Sequence, residues 1–450
     1  MSSLSVRAAA GENPDGLALV TDDGGKWSWR ELAAEVDRVP RRPEPAGARS
    51  FLPLAATPTP ETVFRILAAL DREEPLALLD PGLPERELLL RRRLLAEATA
   101  VRQAPPAGAP LAVLFTSGST GAPRGVELSR AAFLASAAAS ERRLGWRAGD
   151  RWLCVLPLAH VGGLSILTRC LIARRTLVLA GEFDPERLGR LIERESVTMV
   201  SLVPTMLARL LDSDSSRTRL KSLRVVLVGG APASPRLWTE AIGRGLPVLE
   251  TWGMTETCSQ VATAIPGGDP RAPVPLDGWQ VRSRDGRLEV RGEALLTGYL
   301  GGAGPGSPLD DDGWFRTGDA GRVNDDGSVT ILGRADEMIV TGGKKVFPAE
   351  VERFLESLPQ VRRAVVLGIA DETWGEVVVA ALEPDSAHPG SAADRDSVLA
   401  PALREGLATW QRPRAIVWVE RFPETSSGKV DRAGIREQFL AGLTSRHPTP

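Results

Sequence analysis

Residues 181–256 constrain the fold more than any other stretch, because helix and strand signals alternate there without a break. Asp184-Pro185 places an N-cap before a proline at the first helical position, and Leu188, Leu191, Ile192 and Glu195 continue at helical spacing. "VTMVSLVP" reads as a strand, "TMLARLLDS" as a helix and "LRVVLVGGAP" as a strand ending in glycines. Ser234-Pro235 caps the next helix, and "LPVLETWGMTE" begins as another strand. Strands that alternate with helices imply a parallel sheet with helices on its faces. Ligands of such sheets bind beyond the carboxyl ends of the strands. Three polar or glycine-rich segments follow strands here, Thr116–Gly121, Gly229–Pro232 and Thr251–Glu256, and are expected to converge on one crevice.

On the N-terminal side, "DREEPLALLDPGLPERELLLRRRLL" reads as strand, turn and helix, and "VRQAPPAGAP" as a connection. "LAVLF" is a short buried strand that delivers the loop "TSGSTGAPRG". Beyond Asp310, Asp-Gly turns mark a series of hairpins that runs into a helix near Pro348. A last unit of about 110 residues, a usual domain size, holds the strands "VRRAVVLGIA", "EVVVAALEP" and "AIVWVERFP". It also holds a helix expected near Asp396–Thr409, while "PDSAHPGSAADRDS" reads as a polar surface loop. The fold class is α/β: a large N-terminal domain of stacked α/β sheets with a β-rich subdomain, then a small α+β domain.

Composition excludes several functions. A net charge of -2 with mixed signs does not suit a nucleic-acid or membrane-surface binder. No apolar run is long enough to span a bilayer, and "MSSLSVRAAAGENPDG" lacks the apolar core of a signal peptide. Cys154, Cys170 and Cys258 have neither metal-ligand nor disulfide spacing. A cytoplasmic enzyme or binding protein is expected, with a homo-oligomer left open.

The loop "LFTSGSTGAPRG" (114–125) is either a phosphate cradle or a polar hairpin tip. It is not a Walker loop, because Gly118 and Gly121 are too close and no Gly-Lys-Ser/Thr follows. Pro123 and "GVELS" instead read as a turn into a second strand. Its chemistry still suits polyphosphate. Glycines admit close backbone approach, successive N–H groups form anion nests, and Thr116, Ser117, Ser119, Thr120 and Arg124 add donors.

"TSGSTGAPRG" resembles the phosphate loop of the adenylate-forming superfamily, which includes acyl-CoA synthetases, nonribosomal adenylation domains and luciferases. The likeness continues in order along most of the chain. "LPLAHVGG" (156–163) resembles the aromatic/His motif, "GGAP" (229–232) the adenine-side loop and "WGMTE" (252–256) the YGxTE motif. "TGD" (317–319) resembles the ribose motif, "GRADEMIVTGG" (333–343) the hinge region and "PETSSGK" (423–429) the C-terminal lysine motif. Each residue alone has a plainer reading: core for Trp252, a turn for Asp319 and Gly342-Gly343, a solvated lysine for Lys429. Seven motifs in order reverse that weighing.

The resemblance implies ATP, Mg²⁺ and coenzyme A as co-substrates of a small-molecule carboxylic acid. Thr116, Ser117, Gly118, Ser119, Thr120, Gly121 and Arg124 would hold the β- and γ-phosphates. Gly230, Ala231, Pro232, Thr251, Trp252 and Gly253 would border the adenine, with Trp252 stacking where relatives have Tyr. Glu256 would hold Mg²⁺, Thr255 would donate to the α-phosphate, Asp319 would accept from the ribose hydroxyls and Arg334 would support ribose or phosphate. Lys429 would bridge the attacking carboxylate and the α-phosphate. His160, Gly163 and Ser201 would line the acid pocket, with Thr205 a further polar candidate and Arg169 either there or at the surface. Asp336 would be the hinge between residues 1–335 and a mobile 336–450, and Gly342-Gly343 would meet the pantetheine arm.

Within the superfamily, "AHVGGLSILTRC" carries no acid to hold an ammonium, which counts against α-amino substrates. No carrier-protein segment follows Lys429, so a stand-alone ligase is expected. "LPLAHVGGLSIL", "SLVPTMLARLL" and "GRLEVRGEALLTGYL" most resemble the 2-succinylbenzoate–CoA ligases of menaquinone biosynthesis. Arg124 departs from the common Lys and keeps the charge while changing its shape. The alternatives are another aryl- or acyl-CoA ligase and a non-catalytic adenylate sensor. Intact Lys429, Glu256 and Asp319 argue against the sensor.

Overall fold

A computed structural model describes residues 3–41, 51–101, 110–117, 123–213, 219–302, 307–385, 388, 391–424 and 430–437. Its largest sheet has nine strands. Their spatial order is Val274–Pro275, Ser259–Thr263, Val248–Met254, Val225–Gly229, Met199–Leu202, Arg151–Cys154, Thr176–Leu179, Leu17–Thr21, Lys26–Ser28. The six strands from Val248–Met254 to Leu17–Thr21 pair in parallel, and antiparallel strands close both edges. Strand period sorts the side chains. Leu153, Val178, Val200 and Val226 are register neighbours and face one core, while Trp152, Leu177, Met199 and Val225 face the other. Burial on both faces explains why these strands read as continuous apolar runs.

The second core face is shared with a five-stranded sheet ordered Gly298–Tyr299, Pro123–Ser129, Pro110–Ser117, Leu76–Leu79, Leu52–Ala55. Leu54, Leu76, Leu78, Leu114, Val126 and Leu128 enter this common core together with the helices Pro60–Arg72, Arg130–Leu144 and Val161–Ala173. This is the stacked α/β arrangement expected. The β-rich part is an antiparallel sheet of Gln280–Arg284, Arg287–Arg291, Phe315–Val323 and Val329–Arg334. A final sheet orders Lys344–Val346, Ile339–Thr341, Gly375–Pro384 and Val361–Asp371, with Ala415–Trp418 parallel to Gly375–Pro384. Its two cores begin at Ile339 and draw on no earlier residue.

The local caps form as their residues dictate. Asp184 accepts from the Arg187 backbone N–H and Ser234 from that of Leu237, each ahead of a proline. Three readings need correction. The helix expected near Asp396–Thr409 spans Ala392–Gly406 instead, because Ser391 and Asp394 form a capping box inside the segment read as loop. Thr116 and Ser117 lie in the strand Pro110–Ser117, and Thr251–Gly253 lie in the strand Val248–Met254, so these motifs begin before their strands end. Glu195 lies just past the helix Pro185–Arg194, where it is buried and paired with Lys26, Arg151 and Arg194.

Candidate active site

The sheet order places Arg151–Cys154 between Thr176–Leu179 and Met199–Leu202, so successive connections leave in opposite directions. A crevice opens at such a reversal, outside the carboxyl ends of the strands. His160 follows Arg151–Cys154 and caps the helix Val161–Ala173 without a side-chain bond. Its Nε2 lies 3.7 Å from Asp80 Oδ2, at the carboxyl end of the Leu76–Leu79 strand in the other sheet. Ser165, in the next turn, lies 3.4 Å from Ser259, three residues beyond Glu256. His160 and Asp80 thus bring the carboxyl ends of strands from the two sheets together.

The segment expected to hold phosphate is flanked by two paired strands. Thr116 pairs with Arg124 and Ser117 with Pro123 across antiparallel strands, as the turn into "GVELS" required. Arg124 is exposed. Gly118, Ser119, Thr120 and Gly121 fall outside the described residues, and so does Lys429. On the adenine side, Gly229 is in register with Thr251, which brings Gly230, Ala231 and Pro232 beside the start of "TWGMTE". Gly230, Ala231 and Pro232 are exposed. The Thr251 hydroxyl is shared with Thr263 at 2.8 Å and Gln260 at 3.2 Å. Thr255 and Glu256 open a short 3₁₀ turn.

Trp252 is buried, and its indole N–H donates to Asp319 Oδ2 at 2.8 Å. The indole is thus fixed by the ribose-motif carboxylate, a constraint the stacking expectation did not contain. Arg334 lies 3.4 Å from Asp319 Oδ1 and grips Asp336 through two bonds of 3.1 and 3.0 Å. Burial opposes the Arg334 charge, but Asp336 and Asp319 outweigh it and hold the guanidinium above its ordinary pKa. Burial likewise disfavours the Asp336 carboxylate, and Arg334 overrides it to leave the group below its usual range. Glu256 is pushed up by burial, against its own backbone N–H and the Tyr299 hydroxyl.

Among the described residues, no cluster of three or more His, Cys, Asp or Glu could hold a metal ion. Glu256 makes no ion pair among them either. One half-buried carboxylate suits a cation such as Mg²⁺, which keeps most of its shell as water and phosphate oxygen.

Other expected residues sit differently. Ser201 Oγ accepts from the Trp152 indole at 3.2 Å, inside the sheet. Gly163 packs so tightly on the Leu156 and Pro157 carbonyls that a Cβ would lie within 2.6 Å of both oxygens. It seats the helix start that His160 caps. Arg169 is not at the surface: it is buried, stacked 5.7 Å from the Trp152 ring and bonded to Ser136 at 3.3 Å. Burial lowers its pKa to about 10. Gly342 and Gly343 turn the hairpin between Ile339–Thr341 and Lys344–Val346, beside Trp374.

Two residues were missed by reading the sequence. Tyr299 lies against Glu256, and its one signal was being the only tyrosine in the chain. Trp374 covers Gly342 from another strand pair, with no local signal at all.

Residues 91–300 match the AMP-binding enzyme family and residues 350–429 match the AMP-binding enzyme C-terminal domain. A 2-succinylbenzoate–CoA ligase of Bacillus licheniformis is 38% identical over 334 residues, covering 71% of this chain and 68% of that one. The o-succinylbenzoate CoA synthetase of Bacillus subtilis in complex with its acyl-adenylate superposes with a TM-score of 0.82 at 28% identity, over 97% of this chain and 98% of that one. A double mutant of the same enzyme bound to a product analogue superposes over the same shares with a TM-score of 0.66.

Proposed function

Because the chain belongs to the AMP-binding enzyme family, we propose that it is an ATP-dependent 2-succinylbenzoate–CoA ligase of menaquinone biosynthesis acting in the cytoplasm. In the first half-reaction a carboxylate oxygen bonds to the α-phosphorus and the α–β bridge breaks, releasing pyrophosphate. In the second, the coenzyme A sulfur bonds to the acyl carbon and AMP leaves. The difficulty is charge, since an anion must approach a polyanion, so the protein must neutralise and align.

The residues divide that work. The Thr116–Arg124 segment grips the outer phosphates, and Glu256 would hold Mg²⁺, which would screen the phosphate charge. Asp319 receives the ribose hydroxyls. Its two oxygens carry spare lone pairs beyond those taken by Trp252 and Arg334. Thr255 faces the α-phosphate, and Lys429 guides the incoming carboxylate. His160, Gly163 and Ser201 bound the acid. Residues 336–450 turn about Asp336 to bring Gly342-Gly343 to the thiol. The higher superposition score with the adenylate complex than with the product-analogue complex supports reading this structure as the adenylate-forming arrangement.

The observation that carries the substrate is the 38% identity to a 2-succinylbenzoate–CoA ligase across 71% of the chain. The test compares kcat/KM for 2-succinylbenzoate, benzoate and a medium-chain fatty acid. A pocket built for a second carboxylate should prefer the first acid by about 10⁴-fold, because the others leave its donors unpaired. Preference for benzoate or the fatty acid overturns the substrate and leaves an aryl- or acyl-CoA ligase.

A further inference from the structure

Tyr299 is the single tyrosine in 450 residues, and no step above uses it. It sits in the two-residue strand Gly298–Tyr299, which pairs with the return strand of the phosphate hairpin: Tyr299 opposite Val126 and Gly298 opposite Glu127. Thr297 donates its backbone N–H to the Glu127 carbonyl, and Leu296 donates to the Glu256 carbonyl at 2.8 Å. Residues 296–299 are therefore tied by backbone bonds to both the hairpin and the Glu256 turn. The side chain repeats the connection. Its hydroxyl donates to Glu256 Oε1 at 3.3 Å, and the Arg124 guanidinium lies 5.7 Å from the ring centroid.

A carboxylate rotates freely about its last bond, and an arginine has several. One hydroxyl donor fixes which carboxylate oxygen is turned away, and a ring face restrains a guanidinium. We infer that Tyr299 is a positioning residue that sets Glu256 and Arg124 relative to one another, and so sets where the metal-bound triphosphate is gripped. The inference rests on reading Glu256 as the Mg²⁺-holding carboxylate. Phenylalanine would fill the same volume, so the hydroxyl can be tested apart from packing.

Pyrophosphate release is measured against free Mg²⁺ at saturating ATP and acid for the parent, Tyr299→Phe and Glu256→Gln. Thioester formation is measured from supplied acyl-AMP and coenzyme A. Tyr299→Phe should raise the half-saturating Mg²⁺ by about tenfold, as removal of an outer-sphere partner does. Its KM for the acid and its thioester rate should stay within about twofold of the parent, since neither step uses the metal grip. A second readout needs no turnover. Biosynthetic 3-fluorotyrosine places one ¹⁹F label in the whole chain, and Mg²⁺ with a non-hydrolysable ATP analogue should shift that resonance. The same addition should leave it unmoved in Glu256→Gln. If Tyr299→Phe keeps the parental Mg²⁺ response while Glu256→Gln loses it, the positioning role is overturned and the Glu256 reading stands. If Glu256→Gln also keeps it, that reading falls and takes the inference with it. An unmoved ¹⁹F resonance in the parent overturns the inference too.

Discussion

The indole N–H of Trp252 and the carboxylate of Asp319 are joined by a 2.8 Å hydrogen bond, although 67 positions separate them in sequence. A hydrogen bond to a charged acceptor contributes roughly 1.5–3 kcal/mol, and here it also orients the group assigned to the ribose. Trp252→Phe should therefore lower Tm and raise the KM for ATP by about tenfold, leaving the KM for the acid nearly unchanged. An unchanged KM for ATP would show that Asp319 needs no support from the indole.

Lys429→Ala separates the half-reactions. Pyrophosphate release should fall by about 10²–10³-fold, the usual loss of one transition-state charge partner. Thioester formation from supplied acyl-AMP should be much less affected. Equal losses in the two assays would remove Lys429 from the adenylation step.

Asp336 holds Arg334 and is proposed as the hinge, and two substitutions divide these roles. Asp336→Ala breaks the paired bonds to Arg334 but leaves the backbone free. Asp336→Pro also fixes φ. The alanine variant should retain both half-reactions within about tenfold, and the proline variant should lose thioester formation far more than adenylation. If proline and alanine behave alike, rotation does not pass through this residue.

Gly342 has φ +54°, and a Cβ there would lie 2.7 Å from the Trp374 ring. Gly342→Ala must therefore strain the backbone and push the indole. Since this hairpin is assigned to the thiol step, acyl transfer to coenzyme A should drop by up to about 10²-fold while pyrophosphate release persists. A variant that forms thioester at the parental rate would take Gly342 off the thiol path.

Glu250, just before the adenine-side motif, is raised by burial from 4.5 to about 7, with Arg271 and Arg353 pulling the other way. Below pH 4.5 both folded and unfolded forms hold the proton, so ionisation exacts no penalty. Between 4.5 and 7 the unfolded chain ionises first and stability declines as pH rises. Thermal unfolding of Glu250→Gln across pH 4–8 should lack this decline. Parallel Tm curves for parent and variant would contradict the assignment.

What could be read in advance was local. Asp184 and Ser234 cap their helices because the acceptor, the proline and the first turn are adjacent in sequence. The Thr116–Arg124 hairpin was legible because a proline and a new apolar run followed the glycines. The Ala392–Gly406 helix was misread because Ser, Ala and Asp suit loops as well as caps. Burial of Arg169 was hidden for another reason: its helix is covered on all sides from Gly163 to Ile172, so no polar face marks the surface. The Trp252–Asp319 and Tyr299–Glu256 bonds join segments whose meeting depends on sheet order, which no short window contains.

Arg334 stands between two acids, one assigned to the nucleotide and one to the pivot of the C-terminal unit. If both assignments hold, a single cation shared in this way would make nucleotide occupancy and domain orientation linked variables. Reciprocity then applies: if turning about Asp336 weakens the hold of Arg334 on the Asp319 side by some factor, bound adenylate resists that turn by the same factor. Departure of AMP and return of the C-terminal unit would be two faces of one equilibrium, with its coupling set by the lengths of three hydrogen bonds.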